Sequence, residues 1–108
     1  MKLNIYDKKR IVKTYTADAY DLELGPVEDI IKVVELDKLK NGTQEEILGI
    51  AMNAISHSLG TIKDLMRDIF DGLTDEELRH VHIVDLASVL VDVIAYAISQ
   101  LRGGSRKN

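Results

Sequence analysis

His80 and His82 stand two residues apart, and His57 is the third imidazole of the chain. In an extended segment that spacing can turn two imidazoles toward one ion, because alternate side chains share a face. Here the pair falls at a junction between helical patterns, and no cysteine or His-Glu-x-x-His arrangement supplies further ligands. Two partly exposed junction histidines are the simpler reading. A second constellation, Asp68, Asp71, Gly72, Asp75, Glu76 and Glu77, has the composition of a calcium loop. With Gly72 at the sixth loop position, the first, third and twelfth positions fall on Arg67, Ile69 and Leu78, so oxygens are missing where the ion needs them. Ser56, His57 and Asp64 include the residue types of a hydrolytic triad without a spacing that implies one. The chain also has no glycine-rich phosphate loop and no nucleophile elbow. It therefore reads as a protein without enzyme activity, catalytic residues, metal or cofactor.

The elements that would have to position such groups are mostly helical. Leu3–Tyr6 and Arg10–Thr16 are short, rich in β-formers and separated by Asp7, Lys8 and Lys9, which predicts a β-hairpin. Between Ala17 and Leu24, apolar and acidic residues alternate, consistent with either a third short strand or an extended connection. Pro26 suits the first position of a helix in which Val27, Ile30, Ile31 and Val34 recur, ending at Asn41 and Gly42. Thr43 and Glu46 form a capping box for a second helix, whose face is Ile47, Ile50, Ala51, Ala54 and Ile55. Gly49 within it reads as a place of close backbone packing. Gly60 separates the next helix, striped by Ile62, Leu65, Met66, Ile69 and Phe70, and Thr74 with Glu77 caps a short one running to about His80. A helix over Ile83–Leu101 follows. The predicted class is α+β, predominantly α: an N-terminal β-hairpin and then a bundle of four to five helices. One domain covers residues 1–102, with the hairpin at 3–16 and the helical body at 26–101, and residues 103–108 read as a flexible tail.

The last helix is apolar around most of its circumference. Ile83, Leu86, Leu90, Val93, Ile94, Ala97, Ile98 and Leu101 form its stripe, Val84, Val89, Val91, Ala95 and Tyr96 widen it, and only Asp85, Ser88, Asp92 and Ser99 make a polar strip. Two readings stand open: the rest of the chain covers all of this surface, or part of it meets another molecule. Under the second, Val89, Val93 and Tyr96 are the candidate oligomer or client interface, with Val84 and Val91 beside them. The helix approaches membrane-spanning length, but Asp85 and Asp92 would each cost about 2.5 to 3.5 kcal/mol at a bilayer centre, so no membrane partner is expected.

Charge is segregated along the chain. Residues 1–16 carry five basic groups against one acidic, residues 17–101 six against seventeen, and the last seven residues add three basic groups. Lys8, Lys9, Arg10 and Arg102 are the candidate basic contacts, either solvated or meeting the acidic body of a neighbouring copy. An acidic body with few aromatics and no tryptophan is a poor match for nucleic acid. Residues 43–70 could pass for a helix-turn-helix, but Lys63, Asp64, Arg67 and Asp68 alternate in sign where a recognition helix would face phosphates. The absence of cysteine and of a signal-like N-terminus fits a cytoplasmic protein.

The opening MKLNIYDKKRIVKTYTADAYDLELG, the segment VEDIIKVVELDKL and especially KDLMRDIFDGLTDEEL resemble the tail assembly chaperones of long-tailed siphophages of Gram-positive bacteria. The resemblance runs through nearly the whole chain, and departs at Pro26, where that family usually has threonine. It implies a small helical protein that binds the tape measure protein, keeps it soluble and is displaced as tail tube protein polymerises around it; the homo-oligomer expected from the apolar helix and the charge segregation is compatible with that. It further implies a frameshifted longer form that contacts the tube protein, and a place in the host cytoplasm rather than in the mature virion. Lys107 and Asn108 can be encoded AAA AAC, which after a codon ending in A forms a slippery heptamer; an ordinary terminus is equally compatible. A structural virion subunit, such as a head-tail connector or tail terminator, is the alternative.

Overall fold

In strand β1 (Lys2–Asp7) Leu3 and Ile5 are buried while Lys2 and Asp7 are exposed, the two-residue period of a strand with one face on a core. It pairs antiparallel with β2 (Arg10–Thr16), Leu3 opposite Tyr15 and Asp7 opposite Arg10, with a bulge between Ile5 and Tyr6. Lys8 reverses the chain with φ at 60°, the left-handed region that tight hairpin turns require. The computed structural model describes residues 1–34 and 41–101. After the hairpin come α1 (Leu24–Val33), α2 (Gln44–His57), α3 (Leu59–Ile69), the short α4 (Asp75–Leu78) and α5 (Ile83–Leu101). The predicted α+β, mainly helical order is the order observed. Helix α1 ends at Val33, with Val34 already extended, short of the end expected at Asn41 and Gly42; residues 35–40 and Arg102 with the 103–108 tail lie outside the described residues.

Both capping boxes form. The Thr43 hydroxyl accepts the Glu46 N–H at 3.2 Å, and that of Thr74 accepts the Glu77 N–H at 3.1 Å, each satisfying an amide that the first helical turn leaves without a partner. Three local details differ from expectation. The alternating 17–24 segment is neither a strand nor a plain extended link. It makes a 3₁₀ turn at Ala19–Asp21, because the Asp18 carboxylate accepts the Tyr20 N–H at 3.0 Å. Helix α1 begins two residues before Pro26, whose missing N–H still falls in the turn that has no intrahelical acceptor. The α2–α3 break is at Ser58, not Gly60: Ser58 donates its N–H to the Ala54 carbonyl and accepts the Ile62 N–H, closing one helix and opening the next.

Gly49 has open space where a Cβ would stand, so the close packing expected there is absent. Alanine in this exposed mid-helix position should therefore stabilise the protein by about 1 kcal/mol, through helix propensity alone. For a domain of this size that raises the thermal midpoint by roughly 4 to 8 °C, measurable by circular dichroism of Gly49→Ala.

Helix α5 is the spine of the core. Leu86, Val89, Leu90, Val93, Ile94 and Ala97 are buried together with Leu3, Ile30, Ile62, Leu65, Met66 and Phe70. The helix packs chiefly on α2, and also on β1 and α1. The segment Ile83–Gln100 is long and apolar enough to cross a membrane by length and composition. In this fold its central stripe faces protein.

Candidate functional site

The stripe of α5 is flanked by apolar residues on both sides, and the fold treats the two flanks differently. On one, Val89 is 1% exposed and Val93 within the stripe 0%, so both are core residues, contrary to the expectation that they form an exposed interface strip. Strand β1 and the 3₁₀ turn pack against α5, cover that a helical-wheel projection cannot display. Tyr96 is half-buried on the same side and meets the ring of Tyr20 edge-on, centroids 6.1 Å apart. The other flank is left open. Val84 is 76% and Ile83 59% exposed, and Val91 is half-buried.

Helix α2 extends this open flank into a groove. Leu48 and Met52, four residues apart, stand on one side of the buried α2 stripe and are 47% and 43% exposed. Together with Ile83, Val84, Ala87 and Val91 they line a groove of about 620 Å³, and Gln44, Glu45, Ser88 and Asp92 supply its polar lining. Ile83 also lines a smaller pocket of about 250 Å³ with Ile55, Leu59, Lys63, Leu78 and Arg79. Ile83 thus borders both depressions. Of the five residues expected at an interface, Val84 and Val91 line the groove. Leu48 and Met52 were missed, although two large apolar residues at i, i+4 outside the α2 core face are a legible signal.

The basic residues Lys8, Lys9 and Arg10 are exposed at the hairpin turn, close in sequence to Ile11 and Val12, which are 52% and 56% exposed on β2. They do not reach the groove lining. The three histidine side chains each have a separate partner. The His82 ring stacks on Tyr6 with centroids 3.6 Å apart, the Tyr6 N–H donates to the His80 carbonyl, and His80 Nε2 lies 3.3 Å from Glu76. His57 Nδ1 lies 3.0 Å from both Ser56 Oγ and the Asn53 carbonyl. Among the described residues, no group of three or more His, Cys, Asp and Glu could hold a metal ion. Within the acidic constellation, Asp75 pairs with Arg67, which also pairs with Asp64.

One polar cluster fastens the hairpin to the helical body. The Tyr15 hydroxyl donates to Glu77 Oε1 at 2.6 Å, Lys13 Nζ reaches Glu77 Oε2 at 3.1 Å, and Glu77 Oε1 also accepts the Thr74 N–H of its own capping box. The Tyr15 hydrogen bond first, then Lys13 and the Thr74 amide, hold the Glu77 carboxyl down at about 2 from its ordinary 4.5. A depressed carboxylate stabilises the fold fully above the unfolded value and loses that contribution as pH falls through the folded one. Stability measured by urea unfolding should therefore fall between about pH 4.5 and 2, and Glu77→Gln, which cannot titrate, should flatten part of that limb.

Family models, curated proteins and solved structures were compared with this chain, and none matches it.

Proposed function

We propose that this chain is a phage tail assembly chaperone, which holds apolar segments of the tape measure protein in its α2–α5 groove until tail tube protein replaces it. The observation that carries this reading is the open groove lined by Leu48, Met52, Ile83 and Val84. A small protein gains nothing for its own stability by leaving four large apolar side chains together at its surface; such a patch is understandable as a surface that a partner covers. At about 25 cal/mol per Å², covering some 300 Å² there would contribute roughly 7 kcal/mol before the costs of association. The likeness of KDLMRDIFDGLTDEEL to the siphophage chaperones supplies the identity of the client. A basic N-terminal hairpin and an acidic body also suit a homo-oligomer in which the one meets the other on a neighbouring copy.

Co-expression with the tape measure protein tests the proposal. The client should become soluble and co-purify with the chain, and mass spectrometry of purified virions should find the chain absent. Its presence as a stoichiometric virion component would favour a connector or terminator subunit instead.

A further inference from the structure

The charges around the groove define its occupant more closely, an inference that rests on taking the groove as the client site. Among the described residues, the only charged groups lining it are Glu45 and Asp92, one on each wall, and neither has a salt-bridge partner there. Lys63 and Arg79 line the smaller pocket beyond Ile83 instead. From Gln44 to Met52 the α2 wall is about 12 Å long, roughly two helical turns. A channel between two helices with apolar walls fits the ridge of a third helix.

We infer that the groove binds an amphipathic helix whose apolar stripe is flanked by lysine or arginine where it lies between Glu45 and Asp92. Two other occupants fit less well. A second copy presenting the same groove would bring Glu45 and Asp92 against their own equivalents, like charge against like. The last residues of the chain, RGGSRKN, are basic but carry no apolar side chain to fill the walls.

The experiment uses the full chain and two fluorescent helical peptides of about sixteen residues with one leucine stripe, flanked by lysines in one and glutamines in the other. The lysine peptide should bind about tenfold tighter at low salt, as expected for two exposed ion pairs, and that advantage should shrink as salt rises. The double variant Glu45→Gln/Asp92→Asn should remove the advantage, so that the lysine peptide binds no tighter than the glutamine peptide to that variant, and Val84→Asp should weaken both peptides. Equal binding of the two peptides, or an advantage that survives the double variant, overturns the inference. If the tape measure protein is still solubilised in that case, the proposed function stands without it. Failure of both peptides to bind, or binding untouched by Val84→Asp, overturns the inference as well; a mass that doubles with concentration and is lost in Val84→Asp would assign the groove to a second copy.

Discussion

Val84→Asp is expected to abolish capture of the tape measure protein while leaving the chain folded. Val84 is 76% exposed in the first turn of α5, so the substitution removes little buried contact. An acidic residue near a helix N-terminus also interacts favourably with the helix dipole, so the change in stability should stay within about 0.5 kcal/mol. Binding is affected far more. A client that covers the groove would have to strip water from a carboxylate with no cation among the described residues lining the same walls, at a cost of several kcal/mol. That corresponds to roughly a hundredfold or greater loss of affinity, visible as client returning to the insoluble fraction while the variant's melting curve is unchanged.

Val89→Asp, five residues along the same helix, should do the reverse and unfold the protein. Val89 is 1% exposed and packed in the core with Leu90 and Val93, so an aspartate there loses the buried methyl groups and strands a charge among apolar neighbours. The expected destabilisation is at least about 4 kcal/mol, a large part of the 5 to 15 kcal/mol typical of a domain. Circular dichroism should show a lost or strongly lowered thermal transition. A variant that melts like the parent yet fails to bind client would place the interface on the Val89 flank and contradict the account.

The contrast between these two valines marks where the sequence was legible and where it was not. Periodicity located α5 between Ile83 and Leu101, and the spacing of Thr43 to Glu46 and Thr74 to Glu77 located both capping boxes, because these features depend on neighbours within one turn. Which apolar flank of α5 stays open depends on where β1 and α2 dock, and that is set by contacts distant in sequence. Both flanks look alike on a helical wheel. Val89 and Val93 were misplaced for that reason, while Val84 and Val91 fell on the side that remains uncovered. The Gly60 break failed differently: a glycine in the first turn of a helix costs little, and Ser58 could serve both helix ends through its backbone.

The hairpin adds a contribution that its own sequence does not announce. Strand β2 is exposed except at Tyr15, so its retention depends on pairing with β1 and on the Tyr15, Lys13 and Glu77 cluster rather than on burial. That cluster joins the hairpin to the α3–α4 turn through Gly72 and to α4 through Glu77, steadying the strand that covers α5. The closed flank and the open flank of α5 are thus two outcomes of one arrangement.

The most direct test of the central claim is methyl NMR of the full chain titrated with a soluble segment of the tape measure protein. The account predicts that the methyl signals of Leu48, Met52, Ile83, Val84 and Val91 shift together, while those of Leu3 and Val12 do not. Shifts confined to Ile11 and Val12 on the hairpin, or no shifts in the groove at saturating client, would contradict it.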